Sequence, residues 1–451
     1  MRTVETIDNR IGTLDPPPAA LPGLLHPLRE SLINELHARP FEPLEPPVRG
    51  SHLAVVTGES LETAQEQRLH FVRLCARYDV APPAEDAKHF VQDLGPFRVR
   101  WERHTEFFTY TFFRSERFAA PFADPVLNLV PGDWLQVLPG KVLIAAHVAL
   151  EDRGAPERDT ETLSRLFNHH SLIGCRIAGG NAMMWSDLRA DEQGFCRFLI
   201  RDNGLHHRQA GRSVQRLLEI HTYSTMALLA LPPAQEAIPK LGQAEATLSE
   251  ITRSLGIVRD LADERALLAE ITALAGEVEC LQAATGYRFS ASRAYYQLVL
   301  ARLTELREQH VNGYQRLSTF LNRRLGPAMR TCESVRNRQE ALATHVARAS
   351  NLLRTRVDVA LESQNQDLLQ SMNRRAQLQL RLQTTVEGLS VAAISYYVVG
   401  LIGDAAKALR VFVHSVEPEL VMGIAIPFVV AVVWRGVRHV RRIANRDDKA
   451  E

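Results

Sequence analysis

The stretch EGLSVAAISYYVVGLIGDAAKALRVFVHSVEPELVMGIAIPFVVAVVWRGVRHVRRIANR, from Glu387 to Arg446, decides how the whole chain is read. It holds two charge-free runs, Gly388 to Gly403 and Leu420 to Trp434, 16 and 15 residues long. Each is shorter than the roughly 20 residues that a spanning helix needs. The flanks compensate. Arg374, Arg375 and Arg381 precede the first run, and Arg435, Arg438, Arg441, Arg442 and Arg446 follow the second. Between the runs Asp404, Glu417 and Glu419 face only Lys407 and Arg410. By the positive-inside rule both ends stay in the cytoplasm and the connection faces outward. Snorkelling arginines and a helical continuation through DAAKAL offset the length deficit. The expectation is a membrane hairpin with spans at about 388–408 and 418–436; a soluble helical hairpin is the competing reading.

Outward from that hairpin the chain of 451 residues is globular in composition, 45% hydrophobic and 23% charged. A formal charge of +1 gives no general attraction to nucleic acid. Five scattered cysteines, Cys75, Cys175, Cys196, Cys280 and Cys332, show no C-x-x-C, so neither a disulfide partner nor a zinc cluster is expected. The N-terminus has no apolar signal segment.

Residues 1–25 form a proline-rich leader. In HPLRESLINELHARP, Pro27 suits a first helical position, Leu28, Leu32, Ile33 and Leu36 share a face, and Pro40 ends the helix. SHLAVVTG, KVLIAAHVAL and the alternating FRVRWERHTEFFTYTFFRS read as strands. Three further strand-like runs lie within 171–202, with Gly179, Gly180, Asn181 and Gly194 at the turns. Residues 26–206 are therefore an α+β domain on a mainly antiparallel sheet. Beyond His207 strand signals stop. Residues 207–310 are helical with a hinge-like break at PPAQEAIP, and 313–386 form a long stalk. In the stalk Leu342, Val346, Ala349, Leu353, Val357 and Ala360 repeat as a coiled-coil seam. The hairpin occupies 387–434 and a basic tail 435–451.

Two resemblances follow from these segments. NELHARPF (Asn34, Glu35, Leu36, His37, Ala38, Arg39, Pro40, Phe41), RLLEIHTYSTMALLALP at 216–232 and AAISYYVVGLIG at 392–403 resemble a bacterial, membrane-anchored family catalogued as domain of unknown function 3422. That likeness implies an inner-membrane location without implying a mechanism. The order of parts is also similar to CorA-type magnesium transporters. This second likeness implies a homo-oligomer, a pentamer in that family, with a divalent cation such as Mg as cargo and the first span lining a pore. Gly403 aligns with the glycine of the Gly-Met-Asn signature, but Asp404 and Ala405 replace Met and Asn.

Independently of the likeness, Gln366, Gln370, Asn373, Gln377 and Thr384 fall on one helical stripe that continues through Gly388, Ala392 and Ser395. In a ring of chains such a stripe would offer neutral dipoles to a hydrated cation, with Asp404 as an attracting ring. Equally, it is a solvated face, and Gly388 with Ala392 a helix-packing pair. His37 and Arg39 either bind an anion or bond the last carbonyls of their helix. His169-His170 and His206-His207 lack a third ligand. Arg212, Arg216 and Glu219 make either a salt-bridged surface or a docking face. No P-loop, G-x-G-x-x-G, G-x-S-x-G or H-E-x-x-H is present, so no catalytic residue is assigned. Three functions stay open: a cation channel gated by its cytoplasmic body, a membrane-tethered coiled-coil scaffold or sensor, and an enzyme of unassigned reaction.

Overall fold

The computed structural model describes residues 25–30, 32–33, 40–58, 61–258, 260–410 and 418–447. Two compact units divide the chain, one of residues 1–247 and 275–344, the other of 248–274 and 345–451.

The first unit is built on a nine-stranded sheet in the order β2-β3-β4-β1-β5-β8-β7-β6-β9. Its strands are β1 (Val48–Val56), β2 (His89–Asp93), β3 (Arg98–Arg103), β4 (Phe107–Ser115), β5 (Lys141–Glu151), β6 (Ile173–Ile177), β7 (Ala182–Ser186), β8 (Cys196–Asp202) and β9 (Gln309–His310). Every pairing is antiparallel except β5 with β8. Short helices α1 (Leu61–Arg77), α2 (Gly132–Gln136) and α3 (Thr160–Leu166) lie among the strands.

Alternation along β3 and β4 sorts side chains onto two unlike faces. Val99 and Trp101 join Phe108, Tyr110 and Phe112 in an apolar core with Phe71 and Leu74 of α1. Phe71 stacks on Trp101 with centroids 5.4 Å apart. Arg98, Arg100, Glu102, Thr109 and Thr111 project the other way. Gly50 is required where β1 passes Val148 and Phe113, because a Cβ there would stand 2.8 Å from Val148 Cγ1.

Helix α4 (His207–Leu228) covers this second face, followed by α5 (Leu231–Leu255), α6 (Leu261–Glu305) and α7 (Leu317–Arg410). The break expected at PPAQEAIP lies just before it, at the turn Leu229–Ala230, and PPAQEAIP itself is helical. Pro232 and Pro233 sit in the first turn of α5, where a missing N–H costs nothing, and Pro239 is accommodated within the helix. Pro327 likewise lies inside α7. β9 had no sequence signal, since two residues cannot show a period; it pairs Gln309 and His310 with Arg176 and Cys175 after a long helical excursion. The β3–β4 turn carries Glu106, fully buried, which accepts two bonds from Arg288 of α6, one of 3.1 Å, and a third from the Tyr295 hydroxyl at 2.8 Å.

In the second unit Val346, Ala349, Leu353 and Val357 of the expected seam are buried, as are Ile251, Leu267, Ile271 and Leu274. Arg356 bonds the carbonyls of Leu255 and Val258 at 2.7 and 3.1 Å and pairs with Glu264 at 2.7 Å. This part of the seam is thus packed within one chain. Further along α7, Leu368, Leu369 and Met372 are exposed. Helix α8 (Pro418–Asp447) completes the unit. Both α7 and α8 contain a segment long and apolar enough to cross a membrane. The two helices meet closely at Gly403, where a Cβ would lie 2.5 Å from Met422 Sδ.

Replacing one partner of a buried pair strands the other charge. Arg288→Ala is expected to destabilise the first unit by about 3–5 kcal/mol, read as a lower urea midpoint for its unfolding; an unchanged midpoint would show that Glu106 is not held by this pair.

Candidate functional site

Under the polar face of the sheet lies a cavity of about 210 Å³, walled by β1, β3, β4, α4 and the segment around Glu42 and Leu44. A covered sheet face is ordinarily apolar, and here it presents arginine, glutamate, histidine and threonine. Such groups are tolerated only when paired.

The pairing is nearly complete. Arg100 donates from Nη2 to Glu102 at 2.8 Å and from Nη1 to Gln215 of α4 at 2.9 Å. Thr109 donates to the other Glu102 oxygen at 3.3 Å. Gln215 passes a bond to Glu219 at 2.7 Å, and Glu219 is paired with Arg302 of α6. Arg216 reaches Glu305 at 3.0 Å. The Arg216 and Glu219 expected to form either a surface or a docking face therefore dock α4 on α6. Arg212 instead covers the Phe41 ring at 4.8 Å.

Two groups in the wall are left short. Arg100 Nε is buried without a hydrogen-bond partner, although its side chain is only 5% exposed. Glu42, 8% exposed, pairs through Oε1 with Arg98, and its Oε2 has no partner. A buried polar atom without a partner costs about 1–3 kcal/mol. Burial pushes the Glu42 carboxyl up, against the pull of Arg98 and Arg100. Burial acts the same way on Glu102, but Arg100 and His104 outweigh it and hold that carboxyl below its usual range.

Glu42 is placed by Gly211. A Cβ at this position of α4 would stand 1.6 Å from the Glu42 carbonyl oxygen, so only glycine lets the segment cross the helix. Leu44 N–H bonds the His207 carbonyl at 3.2 Å on the same path. Glu42 and Gly211 were not singled out in the sequence. The available signal was a glycine inside a helix, at a cost near 1 kcal/mol relative to alanine, which asks for a packing reason.

Residues 25–444 match a family described as a protein of unknown function (DUF3422). The chain belongs to that family. No curated protein matches it. The family likeness seen in the sequence is therefore borne out, and it places NELHARPF immediately before Glu42.

Of the motif itself Pro40, exposed, and Phe41, half-buried, are described; Asn34 through Arg39 lie outside the described residues. Gln366, Gln370, Asn373, Gln377, Thr384, Gly388, Ala392 and Asp404 are exposed, whereas Ser395 and Gly403 are buried. Asp404 pairs with Lys407 at 3.1 Å. His170 bonds Asp187 at 2.8 Å, and among the described residues no group of three His, Cys, Asp or Glu is arranged for a metal.

His52 is clamped in the cavity wall between Thr111 at 2.8 Å and Thr222 at 3.1 Å. Burial, with His221 nearby, drives its imidazole down to about 3, and burial alone takes His221 to about 4. Both values lie below the ordinary 6.5, so the unfolded chain binds more protons across that interval. Stability is expected to be full above pH 6.5 and to fall as pH drops from there toward 3 to 4. His52→Gln with His221→Gln should flatten the dependence of the urea midpoint on pH; an equally steep profile in the double variant would assign it elsewhere. Gly211→Ala is expected to lower stability by about 1–3 kcal/mol through overpacking against Glu42, measured by the same unfolding curve.

Proposed function

We propose that the chain is a membrane-tethered receptor: a hairpin of two spans anchors it, and the polar cavity of the α+β body is its receiving site. The observation that carries the tether is exposure. Of the most apolar eighteen-residue window in α7 only 11% is buried, and of Met422–His439 only 6%. Leu389, Tyr396, Leu401 and Phe428 are each at least 70% exposed, which water does not favour for a soluble hairpin. Arg438 lies over Trp434 at 4.2 Å, an amphipathic pair suited to a headgroup region. The arginine flanks favour both ends on the cytoplasmic side of a bacterial inner membrane.

The channel plan is the weaker reading. The amide stripe of α7 continues into the face that carries Ser395, Gly403 and Ala406, and those residues are buried, with Gly403 against Met422 of the same chain. Gly388, Ala392 and Asp404 of the stripe are exposed, but at Gly403 the stripe is covered by its own second span, which speaks against that point lining an axis shared with other copies. A receptor needs only that its ligand prefer one of two arrangements of the body.

Membranes carrying the protein, washed with alkaline carbonate, are expected to retain it until detergent is added, with reporters at residue 451 and within 411–417 reading opposite sides. Purified protein in liposomes is expected to pass no magnesium. A magnesium flux abolished by Asp404→Ala would replace the receptor with a channel, and release by carbonate would remove the tether.

A further inference from the structure

Another face of α4 borders a second, open cleft of about 400 Å³, whose lining includes Ala178, Gln209, Arg212, Arg216, Glu305 and Arg307 and shares no residue with the first cavity. Its charges do not balance. Three guanidiniums stand against the single carboxylate of Glu305. Glu305 is bonded by Arg216 at 3.0 Å and by Arg302 at 3.0 Å, and Arg302 is paired in turn with Glu219. Counting Arg302 and Glu219 adds one charge of each sign, so an excess of two positive charges remains.

These groups are within reach of solvent. Arg307 is exposed, and Arg212 and Arg216 are half-buried. Among the described residues Arg307 has no hydrogen-bond or ion-pair partner, and Arg212 has only the Phe41 ring. Arg216 uses only Nε on Glu305, and Gln209 uses only Oε1, which accepts the His206 N–H. The terminal nitrogens of Arg216 and the Gln209 amide nitrogen are thus open donors. The backbone gives a second, independent observation. Ala178 and Arg307 both have left-handed φ angles, +53° and +48°, held by the Ala178 N–H on the Leu306 carbonyl at 2.9 Å and the Gly179 N–H on the Arg307 carbonyl at 3.3 Å. Strain of this kind gathers at ligand sites. It sets the Arg307 guanidinium over Gly179, where a Cβ would lie 3.8 Å from Cζ. No apolar side chain larger than alanine lines the cleft, so what it recognises is charge and hydrogen-bond acceptors.

We propose that this cleft binds a phosphate monoester, its oxygens taken by Arg307, Arg212 and Arg216 with the Gln209 amide as a neutral donor. Such a group carries about −1.5 to −2 charge near neutral pH and matches the excess, whereas a carboxylate supplies only one charge. Guanidinium forks suit its oxygens in pairs. Because the cleft is open, the rest of the molecule stays outside, and a soluble ester and a lipid headgroup present the same chemistry to it. The site goes beyond the receptor reading and depends neither on the first cavity nor on the membrane hairpin.

Full-length protein in detergent is titrated calorimetrically, at fixed ionic strength, with inorganic phosphate, glycerol 3-phosphate, a short-chain phosphatidic acid and, as a diester control, glycerophosphocholine. The expected result is a Kd below about 1 mM for at least one of the first three and at least about tenfold weaker binding of the diester. Arg307→Gln is expected to weaken the bound ligand by at least about tenfold, and Arg307→Lys, which keeps the charge but not the fork, by less. Arg307 has no partner to lose, so the urea midpoint of either variant stays that of the parent; if Arg307→Gln nonetheless does not fold, Arg212→Gln is judged by the same criterion. Arg293→Gln, which removes an exposed arginine of α6 outside the cleft, leaves affinity unchanged. Binding of phosphatidic acid alone supports the site with a lipid headgroup as the source, and equal binding of glycerol 3-phosphate supports it with a soluble ester. Absence of binding by all of them, equal affinity for the diester, undiminished affinity in the folded glutamine variant, or an equal loss in Arg293→Gln overturns the assignment.

Discussion

The buried Arg100–Glu102 pair on β3 is the interaction around which the first unit is arranged. A guanidinium and a carboxylate under a helix are stable only if every neighbour contributes a partner. Gln215 and Glu219 of α4 and Arg302 of α6 extend the pairing outward, so the charge on the sheet dictates which helices cover it and in what rotation. The opposite face needs no such specificity, and Trp101, Phe71, Tyr110 and Phe112 fill it by volume alone.

A second polar anchor works at the strand turn. Glu106 has no exposed surface and accepts bonds from both Arg288 and Tyr295. Such a group adds little net stability over an apolar substitute, yet it admits only one register of helix on sheet. Together with β9, it ties the helical excursion back to the strands that precede it by well over a hundred residues. These long-range ties leave the cavity wall rigid on the side of α6 and defined by Glu42 on the other.

Much of this organisation was legible in residue order. The alternation in FRVRWERHTEFFTYTFFRS and the glycines after Ile177 mark antiparallel strands, and the two apolar runs with arginine flanks mark the exposed C-terminal helices. The break predicted at PPAQEAIP falls instead at Leu229–Ala230, because proline in a first helical turn and proline at a hinge have the same local signature. The seam from Leu342 to Val357 was read correctly as apolar, but periodicity cannot say whether the partner helix belongs to the same chain. The cavity was not legible at all: Glu42, His52, Arg100 and Gln215 are far apart in sequence and occupy no motif.

By itself, then, the sequence determined the class of most segments, because strand and helix periods act over a few neighbouring residues. Only the tertiary structure decided which polar side chains share a buried space. That choice depends on pairings between distant elements, above all the close crossing of Glu42 over Gly211, where the absence of one methyl group sets the wall of the site.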